Sequence, residues 1–334
     1  MKNKTVIIAE AGVNHQGSIK LAKQMIKEAA KAECNFIKFQ VFKADNLVTI
    51  KAKKANYQKK FSPNETQYTM LKKLEFDFKK LKELKRVSEK KKINFLCSGF
   101  DIEDLKVIKK LNLKILKIPS GEINNLPYLR YAGKNFNKII ISTGLSKLEE
   151  IKFAVQTLYK SGLAKKNLTI LHCVSSYPAP QNETNLRSIN YLKQIFKCKT
   201  GLSDHSMGIK IPTLAVTVGA EVIEKHFTLN KKMKGPDHKA SLNSRELKKM
   251  VEDTRNIEKI MGFSNKIIST SEKKNKFHVR KSIVAKKNIQ KGEKFSVENI
   301  TCKRPANGIS PEFWDKVVGK KSNRNYSKDQ TIKI

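Results

Sequence analysis

The sequence predicts an α/β chain: a closed (β/α)8 barrel of the TIM type, followed by a small β-rich module. Three observations predict it. Eight short apolar runs, each followed by a helical pattern or a long connection, fit within about 260 of the 334 residues, which is the count and size of such a barrel. Polar and charged residues collect at the C-terminal ends of those runs, where barrel enzymes keep their chemistry. After Met261 the alternation of strand and helix stops.

Taken in order, strands are expected from Val6 to Glu10, Phe36 to Gln40, Asn94 to Ser98, Ile115 to Pro119, Ile139 to Ser142, Leu168 to Cys173, Thr200 to Ser203 and Val222 to His226. Helical spacing is expected from Ile19 to Ala32, Gln67 to Lys91, Ile102 to Leu111, Leu126 to Ala132, Lys147 to Leu163, Leu186 to Phe196, Ile209 to Gly219 and Ser244 to Met261. Between the second strand and the third, Lys43 to Thr66 is lysine-rich and aperiodic. It reads either as an active-site loop that orders over substrate or as a segment without fixed structure. These patterns give a barrel over residues 1–263, a polar linker over 264–280 and a β-rich module over 281–334. The module holds the runs SIVAKKNI and ENITCKRP and the turn signals QKG and ANG, and is near the lower size limit for folding alone.

Composition narrows the function classes. No apolar run approaches the roughly 20 residues that cross a bilayer, and MKNKTVIIAEAGVNHQG has no cleavage site of a signal peptide, so no membrane role is expected. Five cysteines, scattered singly and without CxxC, read as free thiols of a reducing cytoplasm, with Cys97 and Cys173 as packing residues at strand ends. A formal charge of +39 raises nucleic acid as a partner. The surplus is nearly all lysine and spread along the chain, without the arginine forks and interleaved aromatics of a nucleic-acid surface, so no nucleic-acid partner is expected. A diffuse positive field still draws in small anions.

The strand ends carry the candidate chemistry: Glu10, Lys38 with Gln40, Ser98, Lys117 with Ser120 and Glu122, Ser142 with Thr143 and Gly144, Ser175 with Tyr177, Ser203 with His205, and His226. Parallel strands joined by a right-handed crossover end on one side of a sheet, so His205 in GLSDH and His226 in EKHF converge. Two imidazoles, with the spare carboxylate of Asp237 in GPDH, suit a catalytic divalent metal that keeps open positions; each histidine alone equally suits a hydrogen-bonded strand end. The two lysines and the serines, with backbone amides at SGE and STG, form a pocket for a phosphate and a carboxylate, although each serine alone also suits a helix cap. Lys38 alternatively fits a Schiff-base lysine, which a carbonyl-polarising metal makes unnecessary.

The motifs AEAGVNHQG, FIKFQVFKAD, KIPSGEINNLPYLRY, ISTGLSKLEE, LHCVSSYPAP, GLSDHSMGI, EKHFTLNKKMKGPDHKAS and KRPANGISP resemble, nearly in step and over the whole chain, the sialic acid synthases. The resemblance implies a TIM barrel with an antifreeze-like (SAF, β-clip) domain behind it. It implies a transferase of cell-surface polysaccharide biosynthesis that condenses phosphoenolpyruvate with N-acetylmannosamine and releases phosphate by C–O cleavage. The alternative sugar is 2,4-diacetamido-2,4,6-trideoxymannose, giving N,N'-diacetyllegionaminate. It further implies a divalent metal such as Mn2+, with Mg2+ or Co2+ as other candidates, held by His205 and His226. Lys38, Ser98, Lys117, Ser120, Ser142, Ser175 and Ser203 match phosphoenolpyruvate contacts, and Glu10 and Glu122 match carboxylates that handle protons and water. Gln40, Tyr177 and Asp237 match the sugar side, as does Asn64. Arg304 matches an arginine that the tail of one subunit lends to the barrel of its partner in a homodimer. Cys97, Ser98, Gly99 and Phe100 stand where a Ser-Thr-Pro-Phe pattern is usual, and Ser175 stands where some members have asparagine.

Overall fold

The computed structural model describes residues 4–54 and 65–334. Eight strands close into one barrel in chain order: β1 Val6–Gly12, β2 Phe36–Val41, β3 Asn94–Gly99, β4 Ile115–Ile118, β5 Lys138–Ser142, β6 Leu168–Cys173, β7 Lys199–Asp204 and β8 Val222–His226. All neighbours are parallel, including the closing pair of β1 and β8, in which Glu10 lies opposite His226. Side chains alternate across each strand. One parity points into the barrel, where Ile8, Leu96, Ile140, Leu171 and Val222 form a small inner core. The other parity points out to the helices and joins the main core, as Ile7, Ile37, Cys97, Ile139, Ile170 and Ile223 do. Gly201 belongs to the inward parity, and a Cβ there would come within 2.0 Å of the Val222 carbonyl oxygen, so β7 and β8 pack this closely only with glycine.

The helices are α1 Ile19–Lys31, α2 Ala44–Leu47, α3 Gln67–Lys72, α4 Phe78–Lys90, α5 Ile102–Lys110, α6 Leu126–Asn135, α7 Leu148–Lys160, α8 Ser188–Phe196, α9 Lys210–Thr217 and α10 Ser244–Met261. α1 shows why they cover the barrel: Ala22, Met25, Ile26 and Ala29 form one buried stripe, and Ser18 accepts the amide of Leu21 as its N-cap. Burying Met25 and Ile26 is worth about 1.5–3 kcal/mol each.

The helix expected from Gln67 to Lys91 is two helices. Asp77 accepts the Lys80 amide and starts α4 afresh, so the cap overrides the continuous periodicity. The stretch expected to be irregular holds α2, and residues 55–64, including Asn64, lie outside those described.

The chain divides into two units, Met1–Gly262 and Phe263–Ile334. The stretch expected as a linker contains helix α11, Thr270–Val279, started by a capping box of Ser269 and Glu272 and without a buried residue. In the second unit β9 Ser282–Ala285 pairs antiparallel with β10 Ile300–Lys303 over a core that includes Ile283, Phe295, Ile300, Val317, Tyr326 and Ile332.

Candidate active site

The inward parity that gives the apolar inner core continues, one step nearer the C-terminal ends, as polar residues. Glu10, Lys38 and Gln40, Ser98, Lys117, Ser142, Cys173, Ser203, Glu224 and His226 line a cavity of about 320 Å³ at the barrel mouth. Loops after the strands add Ser120, Ser175, Tyr177, His205 and Asp237. Of the residues expected from sequence on the barrel unit, Glu122, Thr143 and Gly144 do not line this cavity, and Asn64 lies outside the described residues. Glu122 sits in the turn after β4, where its carboxylate accepts a hydrogen bond from Asn125 at 2.7 Å and it does not line the cavity. Arg304 is exposed on the second unit.

Four buried charged groups meet on the cavity floor. Lys38 Nζ lies 2.9 Å from Glu224 and 3.4 Å from Glu10, and Lys117 Nζ lies 3.4 Å from the other oxygen of Glu224, which also accepts from Ser203 Oγ at 2.9 Å. Glu10 accepts from Gln40 at 3.2 Å through one oxygen, while its other oxygen has no hydrogen-bond partner. Burial raises the Glu10 carboxyl to about 7 against the pull of Lys38, and burial lowers the Lys117 ammonium to about 8 against the pull of Glu224. Burial works against the charge of Glu224 too, but Lys117 and Lys38 overcome it and hold its carboxyl below the ordinary range. Burial likewise opposes the Lys38 ammonium and is outweighed by Glu10 and Glu224, which keep its pKa raised.

The two histidines lie beside this cluster, with ring centroids 5.5 Å apart and Tyr177 packed on His205 at 4.1 Å. The Nδ1 atom of His205 is bonded to the Val174 carbonyl oxygen at 2.8 Å, which leaves Nε2 for a ligand. The Nδ1 atom of His226 is buried without a hydrogen-bond partner, and Asp237 Oδ2 stands 3.8 Å from it. Burial lifts Asp237 to about 6 against the pull of His205, and burial, with His205 and Lys38, drives His226 well below the usual histidine value. Two imidazoles and a carboxylate suit a divalent transition metal, and the orphaned His226 nitrogen fits one. Among the described residues no set of three or more potential ligands is already gathered as a metal site. Three other histidines have bonds within the protein: buried His15 accepts from the Gly17 amide, half-buried His172 bonds the Thr184 carbonyl oxygen, and buried His238 bonds Thr228 Oγ1.

Ser120, Ser142 and Ser175 stand at the C-terminal ends of β4, β5 and β6. A Cβ on Gly144 would stand 2.0 Å from Ser175 Oγ and 3.0 Å from Ser120 Oγ, so only glycine lets both hydroxyls approach its backbone, whose amide donates to Ser120 Oγ at 2.9 Å. Ser142 Oγ is buried without a partner, ready for an incoming acceptor or donor. Thr143 is used structurally, donating to the Leu171 carbonyl oxygen at 3.0 Å. Cys97 is a packing residue whose thiol burial pushes up, whereas Cys173 lines the cavity with its sulfur 3.7 Å from His205 Nδ1.

Glu224, which ties both lysines together, was not singled out from the sequence. The signal was present: Glu224 and His226 are two apart on one strand and share a face. Lys225 between them points outward, fully buried, and donates to Asp204 at 2.6 Å and to the Ser206 carbonyl oxygen. No helix of the described residues is long and apolar enough to cross a membrane.

The NeuB family model matches residues 25–266, and the SAF domain model matches residues 280–334. The chain is 52% identical over 331 residues to the N,N'-diacetyllegionaminic acid synthase of Campylobacter jejuni subsp. jejuni serotype O:2, covering 99% of both. It is 40% identical to the protein of the same name from Legionella pneumophila subsp. pneumophila, covering 98% of this chain and 92% of the relative. Among solved structures, it resembles the N-acetylneuraminic acid (sialic acid) synthetase of Leptospira borgpetersenii serovar Hardjo-bovis in complex with citrate. That similarity has a TM-score of 0.73 and 38% identity, covering 82% of this chain and 90% of that one.

Proposed function

The chain belongs to the NeuB family of carbon–carbon bond-forming nonulosonic acid synthases, and we propose that it condenses phosphoenolpyruvate with open-chain 2,4-diacetamido-2,4,6-trideoxymannose to give N,N'-diacetyllegionaminate and phosphate. The reading from sequence put N-acetylmannosamine first. Two full-length relatives named as diacetyllegionaminic acid synthases favour the alternative sugar. The observation that carries the reaction is the single cavity in which Lys38 and Lys117 flank Glu224 beside the histidine pair.

Lys38 and Lys117 would neutralise the donor's phosphate and carboxylate, with the hydroxyls of Ser98, Ser120, Ser142, Ser175 and Ser203 completing their hydrogen bonds. A divalent metal on His205 and His226, with Asp237 beside it, would polarise the sugar aldehyde oxygen. Gln40 and Tyr177 would orient the sugar so that its carbonyl carbon faces C3 of the donor. Bond formation there leaves cationic character at C2, water adds to C2, and phosphate departs by C–O cleavage. Glu10 faces the cavity with an oxygen that accepts no hydrogen bond and with a raised pKa, so it would take the proton of that water. Glu122 would contribute through the turn that carries Ser120.

The decisive assay incubates the protein with phosphoenolpyruvate, Mn2+ and each sugar and follows phosphate. The expected result is a kcat/KM for the diacetamido sugar at least about tenfold above that for N-acetylmannosamine. A reversed preference overturns the sugar, and no phosphate from either overturns the reaction. We propose a cytoplasmic homodimer in which Arg304 of a second copy reaches the sugar. Mixed Arg304→Ala and His226→Ala chains, each inactive alone, should then regain part of the activity, because one barrel of the hybrid is intact; no recovery on mixing counts against the shared site.

A further inference from the structure

The cavity is polar on the strand side and apolar on the side facing the connection between β2 and β3. Phe42 follows β2, Leu47 and Val48 end α2, Met70 and Leu71 belong to α3, and Leu74 follows it; all six line the cavity. Phe42 and Leu71 are buried at 3% and 9% exposure and anchor the group, while the other four are half-buried with surface left toward the cavity. The wall is held from behind by polar ties. Asp45 accepts from Tyr68 at 2.6 Å and from Lys72 at 2.5 Å, and Glu75 accepts from the Ala44 amide at 2.8 Å. So α2 and α3 are clamped together, and the apolar wall is a formed surface rather than a loose flap.

Apart from Gln67 at the start of α3, which also lines the cavity, a wall of this kind has nothing to offer a hydroxyl, which loses its water there without gaining a partner. It suits methyl groups. The diacetamido-trideoxy sugar carries three of them, two on acetyl groups and one at C6, where N-acetylmannosamine carries one and has hydroxyls at C4 and C6. We infer that the apolar wall of Leu47, Val48, Met70 and Leu74, backed by Phe42 and Leu71, is the element that selects the methyl-bearing sugar over the hydroxylated one. This rests on the reading of the function given above. On that reading Lys38, Lys117 and the serines of the strand side hold the donor, so the selection acts on the sugar alone.

The test uses the full chain with Mn2+ and measures kcat/KM for both sugars in the wild type, in the Met70→Gln/Leu74→Asn double variant and in Val48→Thr, which nearly conserves shape. Melting temperature and phosphoenolpyruvate affinity are read in parallel. The expected result is that the preference for the diacetamido sugar falls at least about tenfold in the double variant, and in the same direction but less in Val48→Thr, with phosphoenolpyruvate affinity unchanged. Equal loss of activity on both sugars, or an unchanged preference in a folded variant, overturns the inference. Should the double variant not fold, Val48→Thr decides. A wild type that does not use the diacetamido sugar instead overturns the functional reading, and is seen before any variant is made.

Discussion

Glu224 and Lys225 are consecutive on β8, both buried and both in ion pairs, yet they face opposite sides of the barrel wall. On the outer side, Lys225 donates to Asp204 and to the Ser206 carbonyl oxygen, and Asp204 also accepts from the Ser206 amide and hydroxyl at 3.0 Å each. That pair has its hydrogen bonds satisfied inside the protein. On the inner side, the cluster of Glu10, Lys38, Lys117 and Glu224 leaves one Glu10 oxygen without a hydrogen bond, and Ser142 Oγ and His226 Nδ1 are in the same condition. A buried polar group left unmatched costs stability, so a fold keeps such groups where something else completes them. The satisfied pair links the two strands that lead to the histidines, whereas the inner cluster presents groups that a ligand in the cavity can complete.

The largest effect should follow from breaking the inner cluster. Lys117→Met and Glu224→Gln are each expected to lower kcat/KM by roughly 10²–10³-fold, the scale of removing a group that stabilises transition-state charge; Lys117→Met should do so with little loss of urea stability, because Lys38 still pairs Glu224. Lys225→Met should do the reverse. It strands Asp204 without its cation and should cost about 3–5 kcal/mol of unfolding free energy, most of which the added change Asp204→Leu should return. If Lys225→Met proved as stable as wild type but inactive, the division between the two faces would collapse.

A gentler probe is pH. Glu10, raised to about 7, must be ionised to act as a base, and Lys117, lowered to about 8, must be protonated to hold the donor. The kcat/KM profile of the free enzyme should therefore rise through the first value and fall above the second, as apparent constants of a coupled cluster. Lys117→Arg should move the falling limb to higher pH, and Glu10→Gln should remove the rising one. A flat profile between pH 6 and 9, with the metal kept saturating, would contradict both assignments.

Much of this was legible before any coordinates. The eight runs carried their own ends, and because a barrel brings those ends together, Lys38, Lys117, His205 and His226 could be placed in one site from spacing alone. Glu224 was missed because EKH was read as a strand closing on a histidine, without asking which of its residues share a side. α11 was missed because a capping box starts it while its sequence lacks an apolar stripe, and periodicity was the signal being followed. The break between α3 and α4 is not legible from periodicity, because it rests on Asp77 acting as a cap within a continuous helical pattern. The apolar wall could not be read at all, since Phe42 and Leu74 become neighbours of the cavity only through the path of the connection between them.

That connection has one more consequence. It joins two strands and, among its described residues, supplies no rung of the barrel, so those residues are able to change without disturbing the register that places Lys38, Lys117 and Glu224. On the proposed function, a change of preferred sugar would need only a few side chains of one excursion, with the eight strands left as they are.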